Sequence, residues 1–525
     1  MSVTLTFLDG VNCIGGNKIL LEADGTALLF DFGTNFGAEG AYFDEFLRPR
    51  PSCGLGDLLE MGLLPLLRGI YRRDLELPYR NWWEKFRGHT HYREIEVQGV
   101  LLSHAHVDHC GYIAYLEYNI PVYASLATAV IAKAMQDTGK ADMGRETCYA
   151  TPRLVGEEGL LEAGCFRRVP AQQRQFVVLD IPAVPEQAAA FWENSPAARG
   201  LEPRPLRAGA GFARIGNLAV RFWPVDHSIP GAGAFAVKTS AGWVVYTGDL
   251  RLHGSHAELT RRFIREVAAL EPVVLLCEGT RPEVERPVTE EEVRANACEE
   301  VRRARGLVVA DFGPRNVERL CSILEAAREA GRRLAVLPKD AYLLEALSKA
   351  GGPEVPDPLQ EEGMVLYVEA KVRREKWEKE LVAHWRERAP ERVITAREVN
   401  REPDGYVLCF SYYDLNELID IGVYRGRYIY SSCEPFNEEM RIDFERLRNW
   451  VRHFGLEFLG AEGSGESPRF HASGHIHGPG IEELVATVRP AVLIPVHTES
   501  RDFFARFAGR CRLIYPEKGE RVAVD

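Results

Sequence analysis

The stretch Leu101 to Gly111, LLSHAHVDHCG, sets three histidines and an aspartate within six positions, in a chain that holds only 14 histidines in 525 residues. In an extended segment, side chains two apart point to the same side, so His104 and His106 can offer two imidazoles to one metal ion. Asp108 and His109 follow where the chain turns toward a helix, and can serve a second ion beside the first. The pattern H-x-H-x-D-H should arise by chance in about one such chain in a thousand or fewer. Two ions need more donors than these four. His227, Asp249 and His497 each end an apolar, strand-like run, and a carboxylate such as Asp249 can bridge two cations. Asp31 ends another such run with no histidine near it, and reads as an acceptor that orients a ligand imidazole.

The elements that must position these residues have two textures. Up to about residue 284 the chain reads as short strands and turns. VTLTFLDG is followed by KILLEADGTALLFDFG, with Asp24-Gly25 as a hairpin turn, and IEVQGVLLS is a strand leading into a helix at GYIAYLEY. Residues 36 to 96, rich in aromatics and charge, read as an insertion of helices and loops, with the apolar LLEMGLLPLL as a buried helix end. LAVRFWPVDHSIPGAG, GWVVYTGDLRLHG and PVVLLCEGTRP are apolar runs that stop on a polar residue beside glycine or proline. From 285 to 460 helix and strand alternate, as in EEEVRANACEEVRRARG then LVVADFG, which predicts a doubly wound parallel unit. Histidines return after the Gly/Ser-rich GAEGSGESPRFHASG, in HASGHIHGPG and AVLIPVHTES. Metal-site chemistry thus brackets the α/β unit, as when one domain is inserted in another. The domains expected are 1–284, 285–460 and 461–525, within the two to four that the length suggests.

Composition narrows the class. A formal charge of −12 argues against general adhesion to nucleic acid, although a local basic groove stays compatible. The 11 cysteines are scattered without a C-x-x-C pair, which suggests neither a disulfide framework nor a thiolate zinc site and fits the cytosol. The start lacks a basic segment followed by an apolar one, and no run approaches the roughly 18 apolar residues of a membrane helix, so neither secretion nor membrane spanning is expected.

The series DFGTN, SHAHVDH, DHSIPG and YTGDLRLHG, in this order, resembles the metallo-β-lactamase superfamily. CEGTRP, the inserted α/β unit, SGHIHG and PVHTES narrow the resemblance to the β-CASP nucleases, particularly the RNase J group. It covers the first 250 residues apart from insertions and the last 65 closely, while 285 to 460 match only in texture. The resemblance implies an α/β fold, an αββα sandwich with an inserted doubly wound β-CASP domain, around two zinc ions; manganese would also suit these ligands. The first ion would take His104, His106 and His227, and the second Asp108, His109 and His497, with Asp249 between them. Glu278 matches the family's acidic motif and His475 the SGH histidine, both close to the scissile phosphate. Two cations about 3.5 to 4 Å apart lower the pKa of a bridging water and hold phosphate oxygens during in-line attack. His475, kept protonated by Glu278, suits the general acid. His471, Ser473 and Gly474 would lie where relatives bind the phosphate of an RNA 5′ end.

The function so implied is a cytoplasmic zinc-dependent ribonuclease acting on single-stranded RNA, as exonuclease, endonuclease or both. His497 leans toward RNA, because DNA-cleaving relatives usually carry a small aliphatic residue at this motif. A DNA nuclease of the same architecture, a small ester or thioester hydrolase, and a silent RNA-binding scaffold are the alternatives. The chain departs from the RNase J pattern in a long insertion near 36 to 96, another near 140 to 215, and a stop soon after LIYPEKGERVAVD. The extra C-terminal domain of many relatives assists dimerisation, so oligomeric state is open, a homodimer included. Other patterns carry less. The DFG triplets at Asp31 and Asp311 lack a kinase's companion motifs. His89 and His91 suggest a surface loop, His253 and His256 a structural role, and VRRARG and KVRREKW solvated helix faces.

Overall fold

Alternation of apolar residues builds the first layer. Val3, Leu5 and Phe7 of the strand Val3–Asp9 and Ile19 and Leu21 of Lys18–Ala23 enter one core, because successive side chains of a strand face opposite ways. The strands Lys18–Ala23 and Thr26–Phe30 are joined by Asp24-Gly25, at φ 51° and 75°, the twist that a two-residue hairpin turn requires. The computed structural model describes residues 3–198, 200–313, 315–351, 355–435, 438–460 and 469–524. Among them, an eight-stranded sheet runs Arg207–Ala208, Phe176–Val178, Val122–Ala124, Gly99–Leu101, Thr26–Phe30, Lys18–Ala23, Val3–Asp9, Arg521–Val524. A seven-stranded sheet runs Phe212–Ile215, Leu218–Pro224, Gly233–Thr239, Gly242–Tyr246, Val274–Glu278, Val492–Val496, Arg512–Leu513.

The two sheets bury their facing sides in one core, where Leu5, Phe7, Leu28 and Phe30 share a cluster with Phe222, Phe235, Val244, Leu276 and Ile494. Helix Leu126–Thr138 packs on the outer side of the first sheet, and Ala257–Ala268 and Gly478–Val488 cover the second. The layers are therefore helix, sheet, sheet, helix. Thr26–Phe30 pairs in parallel with Gly99–Leu101, and Gly242–Tyr246, Val274–Glu278 and Val492–Val496 are parallel in turn. Parallel pairing puts carboxyl ends side by side, which is where ligands of such sheets collect. It brings Asp31 beside His104, and Asp249 and Glu278 beside His497.

A third sheet, all parallel, runs Val393–Ile394, Met364–Tyr367, Arg333–Val336, Tyr406–Cys409, Leu307–Asp311, Gly426–Tyr430, Leu456–Leu459. Leu307 and Val309 enter one core and Val308 and Ala310 another, which is why LVVA is a continuous apolar run. The chain leaves the second sheet after Val274–Glu278 and returns at Val492–Val496, its direct neighbour, so the third sheet is built from a long excursion between paired strands. The boundary expected at 460/461 adjoins residues 461–468, which lie outside the described residues together with most of the Gly/Ser-rich stretch.

Buried ion pairs fasten the excursion to the first two sheets. Arg251 binds Asp226 at 3.1 Å, Glu290 at 3.0 Å and Glu318 at 2.5 Å. Arg319 binds Glu290 at 2.9 Å and the carbonyls of Ser431 and Phe470 at 2.8 and 2.9 Å. Some local expectations change. Only Val107–Cys110 is α-helical after the histidine motif, and Gly111–Tyr115 is a 3-10 turn. Residues 371–375 precede the helix Lys376–Arg388 instead of forming its face, because Lys371 and Arg374 fold back on the buried Glu378. Residues 140–215 are not wholly an insertion: Phe176–Val178 and Arg207–Ala208 extend the first sheet. No helix of the described residues is long and apolar enough to cross a membrane.

Candidate metal centre

The segment after Gly99–Leu101 is extended through His106, then makes one helical turn. His104 Nε2 comes 2.9 Å from His106 Nδ1, and His227 Nε2 lies 3.2 Å from the same atom. Beside this trio, Asp108 Oδ2 is 3.3 Å from His497 Nε2 and 3.7 Å from His109 Nε2. Asp249 lies between the groups, its Oδ2 at 3.1 Å from His109, 3.7 Å from both His104 and His497, and 4.0 Å from His227. Seven residues from four distant parts of the chain thus converge with ligand-type atoms.

Second partners decide which nitrogen faces inward. The Gly474 carbonyl, which only accepts, takes the His227 Nδ1 proton at 2.5 Å. His109 Nδ1 donates to Asp31 Oδ2 at 2.7 Å. The Ser103 hydroxyl donates to Asp31 at 2.8 Å and so accepts from His104 Nδ1 at 3.0 Å. Thr280 Oγ1 donates to Glu278 at 2.8 Å and accepts from His497 Nδ1 at 2.9 Å. Each turns its Nε2 toward the shared space, the nitrogen through which such an imidazole would bind metal.

The backbone is shaped for this contact. Asp31 and His497, each following a parallel strand, take left-handed φ of 53° and 52°, which turns their side chains off the strand direction. A Cβ on Gly33 would lie 1.7 Å from the Asp108 carbonyl oxygen, so only glycine lets the chain after Asp31 press against the histidine turn. At Gly474 a Cβ would meet His227 Cε1 at 2.7 Å.

The electrostatics suit cations. Burial, with neighbouring imidazoles, pulls His104 and His227 well below the usual histidine range; burial and the charge of Arg315 take His106 down to about 3. These three are neutral, the form that ligates. Burial pushes Asp108 and Asp249 up, but His109 and His497 outweigh it and hold both well below the carboxylate range. His109 is raised against burial by Asp249, Asp108 and Asp31. Both oxygens of Asp249 and Nε2 of His109 are buried without a well-aligned hydrogen bond, although Nε2 and Oδ2 stand 3.1 Å apart. A buried carboxylate ringed by imidazole nitrogens is one that a cation would satisfy, so the donor set could hold metal ions.

His475 stands at the edge, Nδ1 3.2 Å from Glu278 and 3.6 Å from Asp249. Burial lowers its pKa, but Glu278 and then Asp249 outweigh that and keep it raised. Glu278 is itself held by the Leu250 N–H at 2.9 Å. The remaining residues read for phosphate binding sit in supporting contacts. His471 Nδ1 donates to the Ser431 carbonyl at 3.2 Å, and burial brings its pKa down to about 4. The Ser473 carbonyl accepts from Arg251 at 3.2 Å and from His253 at 2.9 Å, and its hydroxyl accepts the His475 N–H at 3.2 Å. His89 and His91 are exposed and belong to none of the metal-holding groups. Sequence reasoning did not single out Ser103, Tyr246, Thr280 or Arg315. Ser103 and Thr280 had one signal, a hydroxyl within two residues of a chosen site residue.

The chain is similar to ribonuclease J of Sinorhizobium meliloti, 24% identical over 412 residues that make up 77% of this chain and 58% of that protein. It is similar to ribonuclease J of Corynebacterium glutamicum, 26% identical over 304 residues, 54% of this chain and 37% of that one. The chain therefore spans little more than half the length of the first of these relatives and less of the second. No protein-family model matches it. A crystal structure of a protein of unknown function from Enterococcus faecalis aligns over 100% of both chains with a TM-score of 0.69 at 21% identity, a likeness of fold.

Proposed function

We propose that the chain is a metal-dependent ribonuclease that hydrolyses phosphodiester bonds of single-stranded RNA, an RNase J-like member of the β-CASP group of metallo-β-lactamase folds. The observation that carries this reading is the Asp249 carboxylate, buried among five imidazoles and Asp108, with the Glu278–His475 pair beside it. The similarity to two proteins named ribonuclease J supports the choice of RNA. His104, His106 and His227 would hold one ion and Asp108, His109 and His497 the other, zinc or manganese, with Asp249 between. Such a pair, when bound, supplies Lewis acidity to the phosphate and lowers the pKa of water.

The chain's own residues do the rest. Asp31, Ser103, Thr280 and the Gly474 carbonyl keep the ligand lone pairs turned inward, so no reorganisation is needed when charge builds. Glu278 keeps His475 protonated through Nδ1, while Nε2 has no protein partner among the described residues. The leaving oxygen departs as an alkoxide-like group, and His475 gives it a proton.

The test combines metal analysis of the purified chain with digestion of matched, labelled RNA and DNA oligonucleotides bearing 5′ monophosphate, triphosphate or hydroxyl ends. Two ions per chain and loss of RNA are expected, with cleavage stopped by a chelator and slowed about 100-fold or more in His475→Ala that keeps its metal. Preference for DNA, or a chain that binds no metal, overturns the proposal.

A further inference from the structure

Arg315 is a cation without an assigned partner. It lies on the loop between the strand Leu307–Asp311 and the helix Val317–Glu329, at the carboxyl end of a strand inside the third sheet. The first turn of that helix is fastened toward the metal centre: Glu318 accepts from Arg251 at 2.5 Å and from the Ser255 N–H at 2.7 Å, and Arg319 reaches the Phe470 carbonyl at 2.9 Å. The loop is thereby carried toward the metal centre, and the charge of Arg315 is felt by His106, Asp108 and Cys110.

Its surroundings set it apart. The fully buried arginines each have acceptors: Arg72 pairs with Asp74 and Glu146, Arg251 and Arg319 with their carboxylates, and Arg174 and Arg332 with backbone carbonyls. Arg315 is half-buried, and among the described residues its guanidinium makes no ion pair or hydrogen bond. Asp108 is the nearby carboxylate whose charge it feels, and Asp108 is committed to His497. A half-buried guanidinium without a protein acceptor is free to take one from a ligand.

We propose that Arg315 binds the phosphate group under hydrolysis, its guanidinium hydrogen-bonding a non-bridging oxygen of the phosphodiester held at the metal centre. This rests on the phosphodiesterase reading above and assigns a phosphate ligand to the inserted unit. The planar fork of donors matches phosphate oxygens and stays charged at any working pH. Placed where negative charge builds, such a donor belongs to the transition state more than to the ground state.

The test uses the full, metal-loaded chain and the variants Arg315→Gln and Arg315→Ala. Inorganic phosphate affinity is measured by calorimetry, metal content by mass spectrometry, and kcat/KM on single-stranded RNA. Phosphate affinity should fall about tenfold or more, and kcat/KM about 100-fold, with metal content unchanged. Added guanidinium ion should restore part of the activity of Arg315→Ala. Wild-type phosphate affinity in either folded variant overturns the assignment, whatever the RNA result. A loaded chain that binds phosphate through Arg315 but leaves RNA intact would instead overturn the ribonuclease reading and leave the phosphate ligand standing.

Discussion

Replacing Asp31 by asparagine should loosen metal binding without touching a proposed ligand. The Asp31 carboxylate accepts from the Ser103 N–H at 2.7 Å, the Ser103 hydroxyl at 2.8 Å, the Tyr246 hydroxyl at 2.6 Å and His109 Nδ1 at 2.7 Å. An amide has one accepting oxygen and a donating nitrogen. If its oxygen keeps the Ser103 N–H, the NH2 faces the two hydroxyls, which can rotate, and His109, which can accept at Nδ1 only by moving its proton to Nε2. That nitrogen is the one directed at Asp249 and Asp108, so the imidazole would turn a proton instead of a lone pair toward the ions. With the amide flipped, its NH2 confronts the buried Ser103 N–H, which costs about 1–3 kcal/mol. Asparagine tolerates the left-handed backbone at Asp31, where alanine would add about 1–2 kcal/mol of strain. Losing such an outer partner typically weakens metal binding about 10- to 100-fold, or about 1.4–2.8 kcal/mol. Zinc affinity by competition with a chromophoric chelator is the assay, with circular dichroism to show that the metal-free fold is kept. An intact Asp31→Asn protein that binds zinc within about twofold of the parent would refute the tautomer argument.

Three further outcomes are expected. Arg251→Met removes the shared cation of Asp226, Glu290 and Glu318; Glu290 keeps Arg319 and half-buried Glu318 keeps the Ser255 N–H, but Asp226 is left buried without its cation, so urea unfolding should show a loss of about 3–5 kcal/mol, and a loss under about 1 kcal/mol contradicts the hub. Burial, against a weaker pull from Lys339, lifts Asp340 to about 7, above its unfolded value, so the folded state binds the extra proton and stability falls as pH rises from about 4 to about 7. Asp340→Asn should cancel that slope and gain on the parent by up to about 4 kcal/mol across the window, whereas parallel pH profiles would show that Asp340 does not titrate there. Stripping the metal should lower Tm, and zinc at about a thousand times its Kd should restore about 4 kcal/mol; a Tm indifferent to zinc would mean that the folded centre does not bind it.

The local parts of the molecule were legible in the sequence because they depend on neighbours along the chain. Asp24-Gly25 announced its hairpin through residues that accept positive φ, and LVVADFG announced a buried parallel strand through unbroken apolar character. His104 and His106 were readable as a pair because two residues of extended chain put side chains on one side. The helix expected over GYIAYLEY came out as a 3-10 turn over its first five residues, and the first five residues of KVRREKW as a loop before a helix, because contacts from outside those segments decided them.

Residue type and apolar periodicity are local, so the candidate ligands and the strand ends on which they stand could be read along the chain. Packing across the molecule places Asp249 among imidazoles from three other segments, lets the Gly474 carbonyl and the Thr280 hydroxyl choose which nitrogens turn inward, and brings the charge of Arg315 within reach of His106 and Asp108. The physical reason is range. A hydrogen bond across hundreds of residues leaves no spacing to read, yet it sets which lone pair is free and where an unpaired charge waits for a partner.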